Sequence, residues 1–156
     1  MILQHINAKT TQNISDALRE IGKLSALFYL YYYFNFKGWS VYKNYDEKGY
    51  DILLLNRKNN RQIKIEVKTR QRIVSSSKNK NQTTHFTLTQ SEKDAADYLI
   101  GLWYEHNWFF IVPTLKLKET KSNDKKLYKF IVSVNRGGEP NSGSKWYLNN
   151  WESIVL

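Results

Sequence analysis

Tyr50-Asp51-Ile52-Leu53-Leu54-Leu55-Asn56, Arg57-Lys58-Asn59-Asn60-Arg61 and Gln62-Ile63-Lys64-Ile65-Glu66-Val67-Lys68-Thr69 follow one another without a break. They read as a strand, a polar turn and a second strand. Ile63, Ile65 and Val67 alternate with Lys64, Glu66 and Lys68, the period of two expected when one face of a strand is buried. With the turn centred between Lys58 and Asn59, cross-strand partners have numbers summing to 117. Asp51 then faces Glu66, and directly opposed residues project from the same side of a sheet. Lys68 lies on that side too, while Ile52, Leu54, Ile65 and Val67 point into the core. A slip of one residue would break this grouping, so everything built on it depends on register.

Two adjacent carboxylates repel unless a cation lies between them. A divalent ion is the natural occupant, and oxygen ligands suit Mg²⁺, with Mn²⁺ the alternative. Asp51 and Glu66 are therefore the candidate metal ligands. Phosphodiester hydrolysis needs such a pair, together with a group that handles water or stabilises charge. Lys68 is placed to do either. The competing reading is an exposed hairpin whose acids merely pair with neighbouring basic groups.

Charge supports a polyanionic partner. The chain has 156 residues and a net charge of +10, which points to nucleic acid or an acidic membrane surface, against the alternative of a basic protein with neither. From Asn56 to Lys80 there are nine basic residues and one acid, Glu66. Arg70, Arg72, Lys78 and Lys80 follow directly from the second strand and are candidate phosphate contacts, with a solvated loop as the competing reading. Gln90, at the start of a short capped helix, is a further candidate for contact with DNA or with a water at the metal.

Further out, residues 1 to 12 read as a polar lead-in with no targeting pattern. Ser15 is the expected N-cap of a helix over Asp16 to Lys37 that Gly38 stops. That helix is apolar nearly all round from Phe28 to Tyr33, which predicts burial of its second half, and its richest apolar stretch falls short of a bilayer span. Trp39 to Tyr42 reads as a strand and Asn44 to Gly49 as a turn. Thr89 and Glu92 have capping-box spacing. Tyr98 to Glu105 and Trp108 to Thr114 read as a hairpin around His106-Asn107. Lys116 to Lys126 is a charged excursion, Tyr128 to Val134 a strand, Asn135 to Ser144 a loop, and Lys145 to Ile154 an aromatic helix. The pattern predicts one domain over residues 1–156, of α/β or α+β class with a mixed sheet.

There is no Cys, so disulfides, zinc–thiolate sites and cysteine catalysis are excluded. His5, His85 and His106 have no ligand spacing, and Gly137-Gly138 is not followed by a phosphate-binding helix pattern. Tyr and Trp side chains could stack on bases, though most are expected in the core. The expected location is the cytoplasm.

Gly49-Tyr50-Asp51-Ile52 followed by Glu66-Val67-Lys68 resembles the PD-(D/E)XK nuclease superfamily, which includes restriction endonucleases, archaeal Holliday-junction resolvases and some homing endonucleases. Ile21-Gly22-Lys23-Leu24 and Lys37-Gly38-Trp39-Ser40-Val41 resemble the helix and first strand that precede the family's aspartate, so the likeness spans about residues 16 to 70. The later Phe86-Thr87-Leu88-Thr89 and Ile111-Val112-Pro113 are compatible with it. It implies a restriction-endonuclease-like core, a mixed central β-sheet flanked by helices, and Mg²⁺-dependent cutting of DNA in restriction, homing, repair or junction resolution. Tyr50 stands where the motif usually has proline. The family's first helix commonly supplies an active-site glutamate just after the Gly22 position, where this chain has Ser25 and Ala26. Glu20, about a turn and a half before Ala26, is the candidate substitute, with a solvated helix charge as the other reading. Cutting both strands of a duplex favours a homodimer. A non-cleaving nucleic-acid-binding module with the same fold is the alternative.

Overall fold

The computed structural model describes residues 8–46, 48–71 and 82–156. Arg72, Lys78 and Lys80 lie outside them. A long helix, α1 (Ala8–Phe34), closes in a 3-10 turn over Asn35–Lys37. Gly38 then takes φ +87°, a left-handed conformation that only glycine adopts at little cost. The helix begins earlier than the sequence suggests, so Ser15 is an interior residue rather than the cap. Side chains along the first turns support the extension: Gln12 Nε2 donates to Asp16 Oδ1 at 2.9 Å, and Asp16 pairs with Arg19 at 3.9 Å.

Strands β1 (Trp39–Lys43), β2 (Ile52–Asn56) and β3 (Gln62–Arg70) form an antiparallel meander. The chain then leaves this sheet for β4 (Thr83–Thr89) and the short helix α2 (Gln90–Ala95). It returns as β5 (Tyr98–Trp103), parallel to β3, and ends the sheet with β6 (Trp108–Pro113). The result is a mixed five-stranded sheet in the order β1-β2-β3-β5-β6. A second, three-stranded sheet joins β4 to β8 (Lys125–Ser133) and β7 (Lys118–Ser122).

Alternation along β3 and β5 divides the core in two. Ile63, Ile65, Val67, Ile100 and Leu102 pack against Ala26, Leu30 and Phe34 of α1 and against Trp151. Leu99 and Trp103, on the other face of β5, pack with Phe110 and Val112 of β6 against Phe86, Leu88, Phe130 and Val132 of the second sheet. Helix α1 therefore covers one face of the mixed sheet, and the small sheet covers the other. Gly101 allows this close approach, since a Cβ there would lie 2.7 Å from the Phe86 ring. No helix among the described residues is long and apolar enough to cross a membrane.

Three further expectations fail. The charged segment Lys116 to Lys126 contains a hairpin: β7 turns into β8 through Asn123 and Asp124, at φ 48° and 61°. Its residues are largely exposed on both faces, so no apolar alternation announces it. The C-terminal helix is absent. After α3 (Ser142–Lys145), Leu148 bridges to Phe110, and Asn149, at φ 51°, breaks any helical continuation before a 3-10 turn over Trp151–Ile154. Lastly, the second half of α1 is buried on one stripe only. Ala26, Leu30 and Phe34 are fully buried, whereas Phe28 and Tyr32 are each 65% exposed.

Candidate active site

The hairpin register is as expected: Ile52 pairs with Ile65, and Leu55 with Gln62. The ladder stops at Ile52, and Asp51 lies in the bend before it. Its backbone is tied on both sides, its N–H donating to Ile65 O at 2.9 Å and its carbonyl accepting from Asn44 N at 2.7 Å. The Asn44 side chain donates to Tyr50 O at 2.8 Å, and Gly49 turns the chain at φ +87°. The Asp51 side chain then extends the ladder. Oδ2 accepts the Val67 N–H at 2.8 Å, satisfying a backbone donor that β2 leaves unpaired.

Asp51 and Glu66 are both 8% exposed and line one cleft of about 520 Å³. Burial, and then the neighbouring charge of Asp51, push the Glu66 carboxyl up from 4.5 to about 7 against the opposing pull of Lys68. Lys68 Nζ lies 2.9 Å from Glu66 Oε1 and 2.6 Å from Glu92 Oε1. Burial lowers the Lys68 pKa, but Glu66 and Glu92 outweigh it, and the ammonium is held above the usual lysine range. Glu92 is fixed in turn by the capping box of α2, its Oε2 accepting from Thr89 N at 2.7 Å. Burial alone would raise the Glu92 pKa, but the hydrogen bonds and charge of Lys68 and Thr89 together outweigh it and hold the carboxyl below its usual value.

Helix α1 brings a second cation. Lys23 Nζ lies 2.9 Å from Asp51 Oδ1. This reach depends on Gly22, which packs so tightly against β3 that a Cβ there would lie 1.9 Å from Thr69 Oγ1. That hydroxyl is buried without a hydrogen-bond partner. Glu20 lines the same cleft, but its Oε2 is engaged by Lys43 at 3.2 Å, with Lys23 at 3.9 Å from Oε1.

Asp51, Glu66, Lys68, Glu20 and Arg70 thus meet in one cleft, as the sequence suggests. Arg70 donates from Nε to His85 O at 2.8 Å. Gln90 does not join them: its amide accepts from Tyr128 at 2.5 Å and donates to Asp94 at 2.8 Å. Lys23, Glu92 and Arg19, all on the cleft wall, were not singled out from sequence. Lys23 carried a signal, as a lone charge in the apolar run from Ile21 to Phe34. Glu92 carried a weaker one, because a capping glutamate commits a single oxygen and leaves the other free.

The donor set suits a hard divalent cation. Asp51, Glu66 and Glu92 bring three carboxylates against the ammonium groups of Lys23 and Lys68, leaving one negative charge in excess when all are ionised. Among the described residues no three His, Cys, Asp or Glu side chains converge as a ligand group. Two carboxylates completed by water is a coordination style that Mg²⁺ accepts.

Residues 23–105 match the family described as Protein NO VEIN, C-terminal. No curated protein matches the chain in sequence. Among solved structures, the bacterial homing endonuclease I-Ssp6803I is similar over 90% of this chain and 93% of its own, with a TM-score of 0.59 and 16% identity. The Holliday junction resolvase Hjc of Archaeoglobus fulgidus is similar over 72% of this chain and 80% of its own, with a TM-score of 0.45 and 17% identity. The fold is the restriction-endonuclease-like one that the motif resemblance implied.

Proposed function

We propose that this chain, which belongs to the family described as Protein NO VEIN, C-terminal, is a metal-dependent endonuclease that hydrolyses phosphodiester bonds in DNA. One observation carries the reading: two buried carboxylates, Asp51 and Glu66, sit beside the Lys68 ammonium in a cleft whose wall also holds Arg19 and Arg70. Asp51 and Glu66 would hold Mg²⁺ or Mn²⁺, and the bound ion would supply charge neutralisation at the phosphate and an easier ionisation of water.

The chain's own groups do the rest. Lys68 is a firmly protonated cation, so it acts by orienting water and stabilising charge on the phosphate oxygens rather than by taking a proton. Glu92 keeps its Nζ in place. Arg19 and Arg70 contact the backbone phosphates flanking the scissile bond. Glu20 lines the same cleft and accepts from Lys43.

The test is cleavage of linear, supercoiled and branched DNA with Mg²⁺ by the wild type, Asp51→Ala and Lys68→Ala. Cutting by the wild type, with a loss of roughly 100-fold or more in each variant, is the expected result. Equal cutting by all three proteins would remove the assignment of this centre. A second reading is a non-cleaving nucleic-acid-binding module, favoured by the seat of Lys23 on Asp51. Salt-dependent DNA binding without Mg²⁺-dependent cutting would select it.

A further inference from the structure

The small sheet uses one of its faces for packing. Phe86 and Leu88 of β4, with Tyr128, Phe130 and Val132 of β8, are buried toward the mixed sheet. The residues that alternate with them form the opposite face. Across it Thr87 pairs with Lys129, and Lys129 with Lys118, a row that runs over all three strands. His85 lies further along β4 and Lys125 further along β8, and both are exposed. None of the strand residues on this face is acidic. Glu119, the one acid in β7 and β8, is on the other face and pairs with Lys126 at 3.4 Å.

We infer that this face is a docking surface for the phosphate backbone of duplex DNA running out of the cleft, with Lys118, Lys129 and Lys125 as its phosphate contacts. The inference rests on the reading of the cleft as a DNA-cutting site and adds where the rest of the duplex lies. Lysines directly opposite one another on neighbouring strands repel and weaken a sheet. Lys118 and Lys129 take that arrangement with no acid on their face to relieve it. A polyanion lying across them supplies the missing charge.

The face is also continuous with the cleft. Thr87 lines the cleft and is the partner of Lys129. Arg70, on the cleft wall, donates to His85 O. Burial, and then the charges of Arg70 and Lys129, hold the His85 imidazole below its usual pKa, so one positive field spans cleft and face. Only a polymer that also enters the cleft uses this continuity. The dimensions fit a nucleic-acid strand. Strands about 4.8 Å apart put Lys118 about 10 Å from Thr87. At about 3.4 Å of rise per nucleotide, Lys118 meets a phosphate about three nucleotides from the cleft. A bilayer suits the face poorly, because Ile131, 49% exposed, is its one exposed large apolar side chain, and interfacial binding buries an apolar face.

Fluorescence anisotropy of a short labelled duplex in EDTA tests this with the full chain and without cutting. Lys118→Ala with Lys129→Ala should weaken binding by about 10-fold or more and flatten the slope of log K against log salt by about 1.8. Lys121→Ala with Lys126→Ala removes the same charge from the other face of the same two strands and should change both quantities little. Lys125→Glu, at an exposed strand end, gives an independent reading and should also weaken binding, and all variants should keep the wild-type circular dichroism spectrum. Equal losses in the two double variants, no loss in Lys118→Ala with Lys129→Ala, or no duplex binding by the wild type at low salt would each overturn the inference. So would binding of poly-L-glutamate or of phosphatidylserine vesicles as tight as that of the duplex. Cutting is measured separately. A wild type that cuts DNA while its binding ignores these lysines keeps the nuclease reading and loses the docking surface. Binding that depends on them in a protein that never cuts does the reverse.

Discussion

The two faces of β3 lie at nearly the same depth and are built from opposite chemistry. Ile65 is 0% and Val67 2% exposed on one face, and Glu66 is 8% exposed between them on the other. The apolar face is held by packing against α1, which is indifferent to pH, salt and metal. The charged face is held by ion pairs drawn from three other elements: Asp51 before β2, Lys23 on α1 and Glu92 on α2. Burying charge stabilises a fold little, because desolvation cancels much of the attraction. The charged face is therefore better understood as chemistry than as scaffold, and the apolar face is what carries its cost. The two can be separated experimentally.

Packing should give the largest change in stability. Ile65→Ala removes a fully buried side chain and should lower unfolding free energy by roughly 2–5 kcal/mol. Denaturant titration checks this, and the m-value should be unchanged. The folded fraction should keep the Mg²⁺ binding proposed for the cleft, which would sharpen the contrast between the faces.

The charged face should respond to pH where the other does not. Folded Glu66 titrates near 7 instead of 4.5, so between those values the folded state holds a proton that the unfolded chain has released. Stability is therefore fully present below about 4.5 and falls as pH rises through 7. Thermal unfolding at pH 5 and pH 7.5 without metal should show this decline. Glu66→Gln should flatten it, and Mg²⁺ should restore stability at the higher pH. A decline unaltered by Glu66→Gln would break the comparison.

Glu92→Gln should have the smallest effect on stability, because glutamine also serves in a capping box. It removes the charge that steadies Lys68, so any cleavage rate should fall about 10-fold, the scale of one charge-assisted hydrogen bond. A matching fall in stability would instead mark Glu92 as part of the scaffold.

Legibility followed the range of each interaction. The pairing of Ile52 with Ile65 could be read because strand alternation and a short turn are local and fix register together. The box of Thr89 and Glu92 could be read for the same reason. Ser15 carries a cap signal yet sits inside α1, because such a signal counts only where the helix fails to extend past it. The polar hairpin of β7 and β8 was missed because a strand exposed on both faces leaves no periodicity.

The sequence by itself determined that Glu66 and Lys68 share one face of β3, since the period of a strand admits no other arrangement. Tertiary structure alone decided which groups complete that face. Lys23 reaches Asp51 because Gly22 lets α1 close onto Thr69, and Glu92 reaches Lys68 because β4 leads α2 back to β3. It also decided which stripe of α1 the sheet would bury. Both stripes are apolar, and only the packing of the helix on the sheet distinguishes them.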